Sequence, residues 1–241
     1  MSVTNSRGYG RRSQAALALV LALSVIVPAS AETLEGLLAR ARKGDANAQC
    51  ELGMMYDNGD GAVKQDYAEA VKWYRLAADQ GHANAQYNLG FMYEHGDGVK
   101  QDYEEAVRQY YAAATQGHAG AQYCLGFLYE TGEGVEQDYA EAAKWYRLAA
   151  EFGHAGAQFS LAELYVNGEG VEQDYAEAAR LLRKAARMGH ANAQFELGLM
   201  YAKGFGENEN RSREEAVKWW RRSAAQGHEG AKKALEALGV S

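Results

Sequence analysis

The stretch Gly81–Gln116, GHANAQYNLGFMYEHGDGVKQDYEEAVRQYYAAATQ, decides the fold, because its pattern returns from Gly117, Gly153 and Gly189 and in looser form at both ends. The Gly-His pair marks the period. His82, His118, His154 and His190 are 36 residues apart, His228 follows after 38, and Asp45 holds the same place 37 residues before His82. The offsets are loop insertions: Ala62 in the first unit and Asn208-Glu209-Asn210 in the last. A unit this short cannot bury its own apolar face, so neighbouring units must stack into one continuous core with a long open surface.

Each unit reads as two helices. Ala85, Leu89 and Tyr93 recur every four residues over Ala83–His95, as do Ala48, Leu52 and Tyr56, and Ala121, Leu125 and Tyr129. This spacing predicts one buried stripe. Gly96 and Gly98, with Gly132 and Gly134 or Gly168 and Gly170, stop the helix by taking the left-handed conformation that turns the chain. A second helix starts at Asp102, where Glu105 three residues on completes a capping-box pattern. Asp66 and Glu69, Asp138 and Glu141, Asp174 and Glu177, and Ser212 and Glu215 repeat it, which marks these acids as caps and not catalytic carboxylates. Ala106, Tyr110, Ala113 and Ala114 form the next apolar stripe, their small residues allowing close helix approach. Half-units at Thr33 to Lys43 and Glu229 to Leu238 bring the expected total to twelve helices.

Residues 1–31 differ in kind. Arg7, Arg11 and Arg12 precede an apolar run from Ala15 to Val27, then Pro28 and Ala29-Ser30-Ala31. A basic start, a short apolar stretch and an A-x-A end predict a secretory signal cut after Ala31. The run is shorter than the ~20 residues of a spanning helix. Loss of three Arg and no acid leaves residues 32–241 with 22 basic and 32 acidic residues. Such a chain repels phosphate backbones, so nucleic acid is not an expected partner. The mature chain has no Pro and no expected transmembrane segment. It reads as a single repeat domain, 32–241, with units at about 45–81, 82–117, 118–153, 154–189 and 190–227 and a C-terminal cap at 228–241.

A-x-A-Q-x-x-L-G-x-x-Y at Ala83 to Tyr93, G-x-G-V-x-Q-D-Y at Gly96 to Tyr103, and A-x-x-W-Y-R-x-A-A-x-x-G-H at Ala142 to His154 resemble the Sel-1-like repeat family, relatives of the tetratricopeptide repeats. The resemblance implies an all-α, right-handed α-solenoid superhelix of about five antiparallel helix pairs with half-repeat caps, commonly binding on its concave side. It further implies an adaptor role in the bacterial envelope, with a sensor, a toxin or a host protein as partner. A cysteine-rich secreted branch of the family, to which penicillin binding and weak β-lactam hydrolysis are attributed, pairs Cys within each repeat, a pattern that Cys50 and Cys124 do not form.

Comparing the internal copies separates scaffold from variable positions. Gln49, Gln86, Gln122, Gln158 and Gln194 never change and read as structural. Three rows do change along the first helices: Asn47, Asn84, Gly120, Gly156 and Asn192; Glu51, Asn88, Cys124, Ser160 and Glu196; and Met54, Phe91, Phe127, Glu163 and Leu199. At i, i+4 and i+7 they share a face turned away from the Ala-Leu-Tyr stripe. Asn84, Asn88, Phe91, Gly120, Cys124, Phe127, Gly156, Ser160, Glu163, Asn192 and Glu196 are the candidate protein-binding residues; packing between repeats is the competing role for the aromatic and aliphatic members.

Five of the six histidines share one repeat position, which separates them by whole helix pairs, so capping or a turn is expected and metal binding is not. His95 stands outside the register and is expected in solvent. Cys50 and Cys124 lie two units apart, too far for a disulfide; Cys50 reads as a small core residue, and Cys124 as a candidate for an intermolecular link. No Ser of the mature chain precedes a Lys by three, and G-x-S-x-G and H-E-x-x-H are missing, so neither catalysis nor a cofactor is expected. In the Lys218-Trp219-Trp220-Arg221-Arg222 run a structural role leads, because Trp219 matches the repeat positions of Trp73 and Trp145; contact with an anionic partner or a membrane surface is the secondary reading. The leading reading is a non-catalytic scaffold that binds a protein or peptide in the periplasm or secreted space. The alternative is a weak hydrolase or ligand-binding protein directed at β-lactams or the cell wall.

Overall fold

A computed structural model describes residues 33–60, 63–205 and 212–240. The signal-peptide expectation for 1–31 lies outside the described residues, as do Ala62 and the inserted loop at 206–211. The twelve helices of the described residues all fall in one compact unit, Leu34–Ser241. A half-unit, α1 (Leu34–Arg42), precedes five pairs: α2 (Ala46–Asn58) with α3 (Tyr67–Ala78), α4 (Ala83–His95) with α5 (Tyr103–Ala114), α6 (Ala119–Thr131) with α7 (Tyr139–Glu151), α8 (Ala155–Asn167) with α9 (Tyr175–Arg187), and α10 (Ala191–Lys203) with α11 (Arg213–Ala225). Helix α12 (Glu229–Ala237) closes the array. Each helix lies against its neighbours in sequence, the all-α solenoid arrangement.

Helix starts follow the caps. Asp102 Oδ1 accepts from the Glu105 N–H at 3.0 Å, Asp66, Asp138 and Asp174 repeat the bond, and Ser212 Oγ does the same for Glu215. The capping box is only half made. The Asp102 backbone N–H donates to Tyr93 O at 2.9 Å, so Glu105 turns outward to Arg108 at 2.8 Å. Asp138 and Asp174 likewise bond Tyr129 O and Tyr165 O. The bond intended for a glutamate thus ties one helix of a pair to the other.

The core sits between the two helix layers. Tyr110 is fully buried, as are Tyr74 and Tyr146, and each lies on a glycine of the first helix. A Cβ on Gly90 would stand 2.9 Å from Tyr110 Cδ1, and one on Gly126 2.7 Å from Tyr146 Cδ1. Small residues here permit close helix approach, as the Ala content requires. At the loops, Gly134 has φ 72° and a Cβ on it would fall 2.4 Å from the Tyr103 carbonyl carbon. The turn therefore rests on the backbone of the preceding repeat.

The invariant glutamines are structural. Gln86 Nε2 donates to Ala78 O at 3.3 Å, and its Oε1 accepts from Gln116 Nε2 at 2.7 Å. Gln49 and Gln194 accept in the same way from Gln80 and Gln226. At the matching positions of the next two junctions stand Phe152 and Met188, and there Gln122 Oε1 and Gln158 Oε1 are buried without a hydrogen-bond partner among the described residues.

Candidate functional site

The five registered histidines cap the first helices, as their position predicts. His118 Nδ1 accepts the Ala121 N–H at 3.0 Å, and His82, His154, His190 and His228 make the same bond at 3.1–3.2 Å. An accepting Nδ1 fixes the neutral ring with its proton on Nε2. Four of the five rings also stack on an aromatic of the preceding first helix: Tyr87 on His118 at 4.5 Å, Tyr123 on His154 at 4.6 Å, Phe159 on His190 at 4.9 Å and Phe195 on His228 at 4.5 Å between centroids. At the first junction Cys50 supplies no ring, and His82 Nε2 meets Asn47 Oδ1 at 3.1 Å instead. Burial lowers the pKa of His118, His154 and His190. Successive first helices are thereby clamped side by side.

The clamp aligns the variable rows. Asn84, Asn192, Phe127 and Glu163 are exposed, whereas Asn88, Phe91, Gly120, Cys124, Gly156, Ser160 and Glu196 are half-buried. Gly120 and Gly156 lie beside the clamp, where a Cβ would approach His118 Cε1 and His154 Cε1 to 3.1 and 3.2 Å. Phe91 and Cys124 pack against the cluster around Tyr110 and Leu125. Neither Cys50 nor Cys124 forms a disulfide, and Cys50 is buried. His95 is exposed, as expected, and its ring also stacks on Phe91 at 4.1 Å, with its Nδ1 3.0 Å from Phe91 O. The i, i+4 spacing of Phe91 and His95 was the available signal.

The fourth repeat breaks the pattern of the first three. In the first three, the buried tyrosine donates to an acid of its partner helix: Tyr74 to Asp57 at 3.3 Å, Tyr110 to Glu94 at 2.5 Å and Tyr146 to Glu130 at 2.5 Å. The corresponding glycine, acid and tyrosine become Ala162, Val166 and Leu182. Replacing ring and carboxylate with shorter apolar groups leaves a cavity of 290 Å³ between α8 and α10, floored by α9. Val166, Leu182, Leu199 and Met200 line it together with Glu163 and Glu196. Desolvation against the cavity wall, then the charges of Glu130, Glu196 and Glu169, push the Glu163 carboxyl up to about 7, although the residue as a whole is exposed. Burial also raises Glu196, against a lowering by Lys203.

In the Lys218–Arg222 run the tryptophans are structural, as the match of Trp219 to Trp73 and Trp145 predicts, while Lys218, Arg221 and Arg222 are exposed. Trp219 and Trp220 are buried, Trp220 Nε1 donating to Phe195 O at 3.1 Å. Trp220 fills the Tyr146 position against Gly198, and Lys218 Nζ pairs with Glu215 at 3.1 Å.

Comparison with known proteins now places the chain. The Sel1 repeat model matches residues 46–82, 83–118, 119–154, 155–190 and 191–228. The chain belongs to the Sel1 repeat family. Among solved structures, c5321, a protective antigen of uropathogenic Escherichia coli strains with an SLR fold, is 39% identical over 87% of this chain and 45% of its own, with a TM-score of 0.81. A Sel1 repeat protein from Oxalobacter formigenes is 36% identical over 86% of this chain and 78% of its own, with a TM-score of 0.76. The chain thus spans less than half the length of c5321. No curated protein matches it. Each matched repeat begins at the residue after its capping histidine or, in the first, Asp45, one residue later than the sequence units. No helix among the described residues is long and apolar enough to cross a membrane.

Proposed function

We propose that this Sel1 repeat protein is a non-catalytic scaffold of the periplasm or secreted space, holding a protein or peptide along the face of its first helices, the concave side of the solenoid. The observation that carries the reading is the histidine–aromatic clamp, which sets the variable rows of α4, α6, α8 and α10 in continuous register. A partner lying across the repeats then meets Asn88 and Phe91, Cys124 and Phe127, Ser160 and Glu163, and Asn192 and Glu196 in turn. Most polar groups that recur from repeat to repeat serve caps and helix-to-helix bonds, leaving selectivity to these rows. Export rests on the charge and apolar pattern of residues 1–31. An envelope sensor, a toxin or a host protein remains the class of partner that the family likeness suggests.

Tagged protein expressed with its own N-terminal segment, crosslinked in the envelope and compared with an Asn88→Asp, Phe91→Asp, Phe127→Asp variant, tests the reading. One stoichiometric protein retained by wild type and lost by the variant supports it. Capture that is indifferent to all three changes, with turnover of a chromogenic β-lactam, overturns it.

A further inference from the structure

The cavity of the fourth repeat differs from the rest of the first-helix face, and its chemistry is specific. Its 290 Å³ sits at the lower edge of the ~300–1,000 Å³ typical of small-molecule pockets, which suits a single inserted side chain. Val166, Leu182, Leu199 and Met200 supply aliphatic lining, beside the amide of Asn167. Glu163 and Glu196 project from successive first helices into the same lining, and no hydrogen bond or ion pair joins either to another described residue. At the Glu163 position the other repeats carry Met54, Phe91, Phe127 and Leu199, so this acid is particular to the cavity. Glu130 and Glu169 add negative charge around it. The lining's own cation, Lys203, lies with its Nζ 6.0 Å from the Phe205 ring centroid, and Phe205 stacks on Tyr175 at 4.7 Å.

These features select the occupant. An anionic group would meet like charge, and a wholly apolar one would cover the Glu163 carboxylate, which has no nearby cation among the described residues to offset it. A hard cation needs six or more oxygen ligands, which an aliphatic floor does not supply. A long alkyl stem ending in a positive charge satisfies both parts of the lining.

We propose that this cavity is the socket for a lysine or arginine side chain of the protein partner. Val166, Leu182 and Leu199 receive the aliphatic stem, and Glu163 and Glu196 bind the cationic head. The proposal rests on the scaffold reading and names the chemistry that this part of the face recognises.

The test is an NMR titration of the full-length protein with Nα-acetyl-lysine methylamide, its arginine counterpart and the size-matched Nα-acetyl-norleucine methylamide, following the methyls of Val166, Leu182 and Leu199. The basic probes are expected to shift these methyls saturably and to bind at least about tenfold more tightly than norleucine. Glu163→Gln with Glu196→Gln should remove that preference. A second variant, Ala162→Gly, Val166→Glu and Leu182→Tyr, rebuilds the filled arrangement of the third repeat with both acids kept, and should abolish binding while the circular dichroism spectrum is retained. Equal binding of norleucine, unchanged affinity in the Gln variant, or no saturable shift with any basic probe overturns the socket. If the socket fails while partner capture still depends on Phe91 and Phe127, the scaffold reading stands. If the socket binds lysine but no partner depends on the face, the scaffold reading fails by itself.

Discussion

The imidazole of His118 lies on the phenol ring of Tyr87, 4.5 Å between centroids and 22° between planes, while its Nδ1 caps α6. One side chain therefore both starts a helix and holds it against the previous first helix. Repetition at His154, His190 and His228 makes the junctions chemically alike.

This dual role predicts acid sensitivity. Burial lowers the pKa of His118, His154 and His190 below the ordinary 6.5. The unfolded chain therefore binds protons that the folded chain does not, and stability rises with pH in that window. The histidine contribution should be complete above pH 6.5 and decline as pH falls from there through the lowered folded values. Replacing the three with Asn, which caps but does not titrate, should flatten this part of the pH profile in urea unfolding. A profile identical to wild type would show that the clamps do not titrate on unfolding.

The unpaired glutamines predict stabilising substitutions. Phe152 is 69% exposed and Met188 58%, so little burial is lost on replacing them. Phe152→Gln should supply the donor that Gln116 gives to Gln86 and satisfy Gln122 Oε1, raising the unfolding free energy by about 1 kcal/mol. Met188→Gln should do the same for Gln158. Phe152→Leu, which restores no donor, serves as the control in chemical denaturation. No gain over that control would mean that the carbonyl oxygens are already satisfied in solution.

The fourth repeat suggests a double-mutant cycle. Gly126→Ala alone should cost about 1–3 kcal/mol, because the added methyl meets the Tyr146 ring. Tyr146→Leu alone should also destabilise, leaving a gap and the Glu130 carboxylate without its donor. Together they recreate the Ala162–Leu182 pairing, and their combined cost should fall short of the sum by about 1 kcal/mol. Strict additivity would remove steric exchange as the reason for the coordinated change.

What the sequence made legible follows from interaction range. The repeat period, the Gly stops, the Asp and Ser caps and the histidine cap position all depend on neighbours a few residues away, and the repeats supply several independent readings of each. The capping box was half right, since whether Glu105 reaches back depends on Tyr93 O from the other helix of the pair. The structural role of Trp219 followed from its match to Trp73 and Trp145, whereas the burial of Trp220 depends on how α11 turns against α10, which charge spacing alone does not fix. The cavity needs Ala162, Val166 and Leu182 to be read together, and only the folded pairing of α8 with α9 relates them. His95 is different: its partner Phe91 is four residues away, so the stack was within reach of helical spacing.

Glu163 gives the last prediction, with a sign opposite to that of the histidines. Its carboxyl is pushed up to about 7 from an ordinary 4.5, so the folded chain holds a proton that the unfolded chain releases. The stabilising contribution is full below pH 4.5 and is lost as pH rises through about 7, where the charged form faces Glu130, Glu196 and Glu169 without an ion-pair partner among the described residues. Glu163→Gln should therefore stabilise the protein more at pH 8 than at pH 5, reversing the trend expected from the histidine caps. Unfolding of the variant and wild type at both pH values separates the two groups. An equal shift at both would show that Glu163 is already hydrated as an ordinary surface acid, removing the electrostatic reason for a cationic side chain to seat beside it.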